Sequence, residues 1–194
     1  MITTNLNRMK RRQFIQTAVV AAPFLTGTKT DSKTDQTKAF KVKSGEGRFH
    51  GHIQLKGVNA NIQDVKVSGK DNNGSLAIFE QTGLSPKRGV PTHIHPDQDE
   101  IFQVLEGEYH FLVGEEKFKL TAGETIFLPR KVAHAWIQIS DRGKMTVVVQ
   151  PAGKLEEFFV YMSSLEKEPS KEEMIKIFAD HDMQVVGPPM KPEN

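Results

Sequence analysis

T-H-I-H-P-D-Q-D-E-I-F-Q-V-L-E-G, running from Thr92 to Gly107, is the stretch on which the fold turns. A second segment, G-E-T-I-F-L-P-R-K-V-A-H from Gly123 to His134, completes it. On a β-strand alternate side chains share a face, so His93 and His95 point the same way from adjacent inward positions. Glu100 follows the short polar turn Pro96-Asp97-Gln98-Asp99 and opens a strand from Ile101 to Leu105, which brings its carboxylate in from a neighbouring strand. A later strand returns His134 to the same cavity. Three neutral imidazoles and a carboxylate suit one divalent transition metal ion (Fe, Mn, Ni, Co, Cu or Zn) and leave coordination positions open on an ion that takes five or six ligands. The spacings therefore predict a metal site made of His93, His95, Glu100 and His134.

Outward from these segments the chain alternates in short runs. Strand candidates are Arg48–Leu55, Gln63–Ser68, Ser75–Gln81, Ile101–Leu105, Tyr109–Val113, Lys117–Leu120, Thr125–Leu128, Ala135–Ile139 and Met145–Gln150. Turn residues punctuate them at Asp71-Asn72-Asn73-Gly74, Gly107, Gly114-Glu115, Gly123 and Asp141-Arg142-Gly143. Many short strands with tight turns and no helix between them predict an all-β sandwich or barrel. Past Pro151 the period changes to about 3.6. Leu155, Phe158, Phe159, Met162 and Leu165 make one helical stripe over 154–165, expected to pack on the outside of the barrel. Ser170 with Glu173 three residues later is a capping box that starts a second helix. His181 falls where that helix ends and is read as a cap rather than a ligand. V-V-G-P-P-M then reads as an extended tail. A lone His-x-His is a weak signal, and the second one, His50 and His52, is read as an ordinary exposed strand pair.

Composition bounds the chemistry. The 194 residues contain no cysteine, which excludes disulfides, thiolate catalysis and zinc fingers. The formal charge of +2 is unevenly placed. Residues 1–30 hold Arg8, Lys10, Arg11, Arg12 and Lys29 and no acid, leaving 21 basic residues against 24 acidic ones in the remainder. Basicity belongs to the leader, so no nucleic-acid partner is expected. The apolar stretch from Phe14 to Leu25 is too short to span a bilayer, which takes roughly 20 residues. Arg11-Arg12 followed by Phe14 and Ile15 resembles a bacterial twin-arginine export signal, which implies a periplasmic or exported protein. The domain reading is a signal over 1–30, a polar linker over 31–45, a barrel over 46–151, and C-terminal helices and tail over 152–194.

The two histidine segments resemble the paired motifs of the cupin superfamily. His93, His95, Glu100 and Gly107 match the first motif, and Gly123, Pro129 and His134 match the second. Lys87 stands where the first motif opens on glycine, Lys131 where the second has its second glycine, and Gln138 where it ends on asparagine. None of these departures touches a ligand position. The resemblance implies an all-β, single-domain cupin, a double-stranded β-helix or jelly-roll barrel with two C-terminal helices. It also implies a homodimer.

Alternation from His134 places Trp136 and Gln138 inward, and alternation from Glu100 does the same for Phe102 and Val104. A cavity lined by Phe102, Trp136 and Gln138 suits a flat, partly apolar small molecule better than a sugar phosphate. Leader, barrel and tail together resemble exported bacterial cupins that look like quercetin 2,3-dioxygenases. That resemblance implies a dioxygenase of an enolic or aromatic substrate, with Glu100 taking the enol proton. Two alternatives stay open from the residues themselves: a metal-assisted isomerase, decarboxylase or lyase, and a non-catalytic small-molecule binding protein.

Overall fold

The computed structural model describes residues 38–57 and 59–192. The segment read as a twin-arginine-type leader and the first part of the expected linker lie outside the described residues. Two antiparallel sheets face each other. The six-stranded sheet has the order β1 (Ile53–Gln54), β2 (Ile62–Val67), β3 (Ala77–Gly83), β10 (Gly143–Gln150), β5 (Asp99–Glu106) and β8 (Thr125–Leu128). The five-stranded sheet has the order β11 (Gln184–Pro189), β4 (Pro91–Ile94), β9 (His134–Gln138), β6 (Glu108–Val113) and β7 (Glu116–Thr121). Helices α1 (Leu155–Ser164) and α2 (Lys171–Asp180) come between β10 and β11.

Alternation fixes which side chains enter the space between the sheets. Glu100, Phe102 and Val104 of β5 are buried while Ile101, Gln103 and Leu105 are exposed. Met145, Val147 and Val149 of β10 are buried in the same phase. Register then lines up Phe102, Val147 and Phe79 as one row across three strands. A one-residue slip would turn every one of these side chains to solvent, at roughly 1.5–3 kcal/mol for each large apolar group.

The structure departs from the sequence expectations at both ends of the barrel. Of Arg48–Leu55 only Ile53 and Gln54 are strand. His50 and Gly51 both take φ of 63°, a left-handed conformation that cannot continue a strand. His50 therefore sits in a bend, with its ring 3.1 Å from Glu156, and His52 lies 2.7 Å from Asp64. The tail is more ordered than an extended arm. It forms β11 at the edge of the five-stranded sheet, pairing Val185 with His93 and Pro189 with Pro91. Prolines are tolerated there because an edge strand has one unpaired side.

The capping box on α2 is formed, with the Ser170 hydroxyl accepting from Glu173 N at 3.2 Å and the Glu173 carboxylate accepting from Ser170 N at 2.7 Å. His181 ends that helix, its Nδ1 2.7 Å from the Ile177 carbonyl. The two helices do not lie on the outer face of a sheet as expected. They bring Phe158, Phe159 and Met162 of α1, and Met174 and Phe178 of α2, over the barrel cavity and line it.

Both lysines that replace motif glycines occupy left-handed backbone, Lys87 at φ 63° and Lys131 at φ 67°. The backbone conformation that calls for glycine is thus kept without the glycine, at a cost of about 1–2 kcal/mol each. Each turn returns a hydrogen bond: Lys87 N donates to the Gln138 carbonyl and Lys131 N to the His95 carbonyl, both at 2.8 Å.

Candidate metal centre

Three imidazoles come from one sheet region and one carboxylate from the other. His93 of β4 is the Cα partner of His134, the first residue of β9. His95 follows just past the end of β4, where the Lys131 turn holds its carbonyl. Glu100 reaches across from β5, whose neighbours are β10 and β8 of the opposite sheet. The ring centroids of His93 lie 4.5 Å from His134 and 5.1 Å from His95, and those of His95 and His134 lie 5.4 Å apart. All four residues are buried, and one ligand atom from each falls within 4.8 Å of the others.

Hydrogen bonds behind the rings set which nitrogen is available. His93 Nδ1 lies 2.8 Å from the Pro91 carbonyl and His134 Nδ1 3.0 Å from the Val132 carbonyl. A carbonyl can only accept, so each Nδ1 carries the proton and each Nε2 presents a lone pair. His95 Nδ1 is 3.0 Å from Oε1 of Gln98, whose Nε2 donates to the carbonyls of Pro151 at 3.1 Å and Ala152 at 2.8 Å. With the amide fixed by those two acceptors, its oxygen faces His95 and sets the same tautomer. This arrangement of outer partners is the one that orients imidazoles for a metal. Gly153 permits it, because a Cβ there would collide with the Gln98 amide.

The donors aim at one another in a way that needs a cation. Glu100 Oε2 lies 3.1 Å from His134 Nε2 and 3.7 Å from His95 Nε2, and neither nitrogen has a hydrogen-bond partner among the described residues. Lone pairs directed at a buried carboxylate are unfavourable without a positive charge between them. Burial and the neighbouring His134 and His95 push the His93 ring down to about 3, so it stays neutral and able to ligate. Burial tends to raise the Glu100 carboxyl, but positive charge on the facing His95, His134 and His93 rings outweighs it and holds the group down at about 2, and a cation among the Nε2 atoms supplies the same positive charge when the rings are neutral. Glu100 is therefore ionised at neutral pH. The donor set fits a divalent transition ion and leaves part of its coordination sphere toward the cavity.

That cavity measures about 90 Å³. Phe102 and Trp136 line it, with ring centroids 6.4 Å apart. Gln138 does not reach it. Although it is fully buried, it lies four residues beyond His134 along β9, past Trp136, and its Nε2 is spent on the Ser140 carbonyl at 2.8 Å. Phe178 of α2 stands edge-on to His93 at 5.3 Å and closes the cavity over the ligands. Sequence reasoning missed Gln98, the aromatic wall from the helices, and the amides of Asn59, Gln63 and Gln81, which also line the cavity. Only Gln98 offered a signal: an amide three residues after a ligand histidine can turn back onto its Nδ1.

Part of the chain is similar to known proteins. Residues 82–150 match the family model of the cupin domain, a span that contains all four ligand candidates. An uncharacterized protein of Aquifex aeolicus is 25% identical over 91 residues, covering 47% of this chain and 70% of that protein. Among solved structures, KdgF from Halomonas sp. is 15% identical with a TM-score of 0.42, covering 47% of this chain and 78% of its own. A Klebsiella pneumoniae protein with a double-stranded β-helix domain is 18% identical with a TM-score of 0.41, covering 47% and 77%. Two antiparallel sheets thus enclose a buried three-histidine, one-glutamate cluster in a chain whose residues 82–150 are similar to the cupin domain and are followed by two helices and an edge strand.

Proposed function

We propose that this protein is a metal-dependent dioxygenase of an enolic or aromatic small molecule, resembling the quercetinase-like cupins. The observation that supports it most is the contrast inside one cavity. The imidazoles of His93 and His95 and the ionised carboxylate of Glu100 open onto walls that, among the described residues, hold no Lys or Arg and are otherwise apolar or amide. Such walls suit an uncharged ring and exclude water from the reacting atoms.

His93, His95, Glu100 and His134 would hold one divalent transition ion. When bound, that ion supplies open coordination positions, Lewis acidity and, if redox-active, dioxygen chemistry. The chain's own contribution is orientation and proton handling. Phe102 and Trp136 fix the plane of a ring, and Phe178 shields the ligands from bulk water. Glu100, ionised beside the imidazoles, accepts the proton of an acidic enol. At about 90 Å³ the cavity is smaller than the roughly 150 Å³ void that admits benzene, so a ring enters only as wall side chains move aside. Met162, Met174 and Met183 supply that adaptability, since methionine is unbranched and repacks easily.

Oxygen uptake by protein reconstituted separately with each candidate metal, over a panel of enolic aromatics, tests the proposal. Consumption of one dioxygen per substrate is expected, and Glu100→Gln should keep much of its metal while losing roughly 10²-fold in turnover. Product formed without oxygen uptake would replace the dioxygenase with a Lewis-acid isomerase, decarboxylase or lyase. Binding without turnover would leave a small-molecule binding protein.

Export and self-association belong to the same proposal. Arg11-Arg12 ahead of Phe14–Leu25 supports delivery by the twin-arginine route, and replacing both arginines with lysine should retain the protein in the cytoplasm. Exposed Ile101 and Phe127, Cα partners on β5 and β8, with exposed Leu105 beside them, support a homodimer through that outer face. Phe127→Lys should yield a monomer by sedimentation.

A further inference from the structure

The end of the cavity away from the metal ligands is built from amides. Gln63 of β2 and Gln81 of β3 are Cα partners, and Gln63 Nε2 donates to Gln81 Oε1 at 2.8 Å. Both are almost wholly buried, as is Asn59 in the turn before β2. Gln63 Oε1 and Asn59 Oδ1 have no hydrogen-bond partner among the described residues, and all three side chains line the cavity. A buried amide oxygen left unmatched costs about 1–3 kcal/mol, and two in one otherwise apolar pocket are unfavourable for a core that only has to pack.

We infer that Asn59, Gln63 and Gln81 form a second anchor, which binds a hydroxyl group at the far end of the substrate. This rests on the cavity being the substrate site of the proposed function. The amides are neutral and no Lys or Arg among the described residues lines the cavity with them, so a carboxylate or phosphate is not what they bind. A hydroxyl fits whichever way the amides are turned, because it both donates and accepts. The sheet register sets the reach. Glu100 pairs with Val149, whereas Gln81 pairs with Met145, four residues further along β10 and on its other side. Standard strand spacing puts Glu100 and Gln81 roughly 16 Å apart at Cα, so a molecule on the order of 10 Å long would touch both ends. The substrate class is thus an elongated aromatic enol: oxygen atoms at one end for the metal, a ring in the middle, and a distal hydroxyl.

Phenylpyruvate and 4-hydroxyphenylpyruvate differ only in that distal hydroxyl and serve as probes. Trp136, the one tryptophan of the chain, lines the cavity, and its fluorescence reports occupancy. With zinc-loaded full-length protein under anaerobic conditions, the hydroxylated probe should bind at least about 10-fold more tightly, one well-made hydrogen-bonded group being worth about that factor. Gln63→Met/Gln81→Met removes both partners together and should abolish the preference while leaving phenylpyruvate affinity and zinc content unchanged. Its melting curve, read alongside, separates loss of the anchor from loss of the fold, since Gln81 also faces the buried Tyr109 hydroxyl. If the double variant does not fold, Asn59→Ala should reduce the preference several-fold instead. Equal affinity of the two probes for the wild type, no binding of either, or an unchanged preference in the variants would overturn the inference. Preference without oxygen uptake by the same protein in its active metal form would leave the anchor standing and remove the dioxygenase.

Discussion

The two ends of the barrel surround their buried polar groups in different ways. At the ligand end each imidazole is tied down at Nδ1, to Pro91, Val132 or Gln98, while the Nε2 atoms of His95 and His134 have no hydrogen-bond partner among the described residues. At the other end Tyr109 and Gln138 are fully buried and packed against glycine, with no space for a Cβ at Gly83 or Gly143. Burial pushes the Tyr109 phenol up, so it stays a neutral packing group. At the ligand end fixed rings leave their free nitrogens facing one another and Glu100, whereas at the other end the Tyr109 hydroxyl and Gln138 Oε1, likewise without a partner among the described residues, are packed close against glycine. The same strands, β9 and β10, run through both ends, so the difference lies in side chains rather than in the fold.

Breaking the ligand end should have the largest effect. His134→Ala removes one of four donors and leaves Glu100 buried without its nearest partner. Elemental analysis after reconstitution should show less than a tenth of wild-type metal, with activity lost in proportion. Retention of full metal would mean that the cluster is only a polar core.

Acid should act next, and on the same end. In metal-free protein His93 is held at about 3, below its ordinary 6.5, so only the unfolded chain takes up its proton between those values. Glu100 is held at about 2 against an ordinary 4.5, so only the unfolded chain protonates it between those values. Both contributions are present above the ordinary values and are lost as pH falls, the first from about 6.5 to 3 and the second from about 4.5 to 2. Denaturant midpoints should fall steadily over that range, by an equivalent of a few kcal/mol in all. His93→Phe should flatten the upper part of the curve.

The filled end should respond to volume and not to charge. A Cβ at Gly143 would collide with the Tyr109 hydroxyl, so Gly143→Ala should cost about 2–3 kcal/mol of stability. Metal content at low temperature should be unchanged, since the ligands lie at the other end. If the variant lost metal as readily as stability, the two ends would not be separate.

The smallest effect is also the sharpest. Gln98→Met keeps the bulk but no longer fixes the tautomer of His95, and should weaken metal binding by about 10- to 100-fold with the fold intact. Competition with a colorimetric chelator measures it, and an unchanged affinity would show that the turn alone places the ring.

Much of this arrangement was legible in the sequence. The alternation in β5 and β10, the capping box at Ser170 and the spacing of the four ligand candidates are local signals, each carried by a few neighbouring residues. What the sequence hid depends on distant parts of the chain. Phe158 and Phe178 show helical periodicity, but nothing in it says whether the stripe covers an outer face or the mouth. Gln63 and Gln81 look like ordinary polar strand residues until β2 and β3 pair. Gln138 was legible as inward-facing, yet its depth in the barrel was not, because period two gives a side and not a height. The strand expected over 48–55 failed because His50 adopts a left-handed conformation, which a histidine seldom signals.

The pairing of β11 with β4 also bears on the order in which the molecule is completed. All four ligand candidates lie within residues 93–134, whereas Val185, which pairs with His93, and Met183, which lines the cavity, come about 50 residues later. Contacts of such sequence separation close late, because a long loop must be ordered before they form. The donors can therefore converge while one wall is still missing. During synthesis or refolding this creates an interval in which an ion from the surroundings can enter without displacing packed side chains. The compartment in which that interval falls, more than the affinities of the finished site, would then decide which metal the protein keeps.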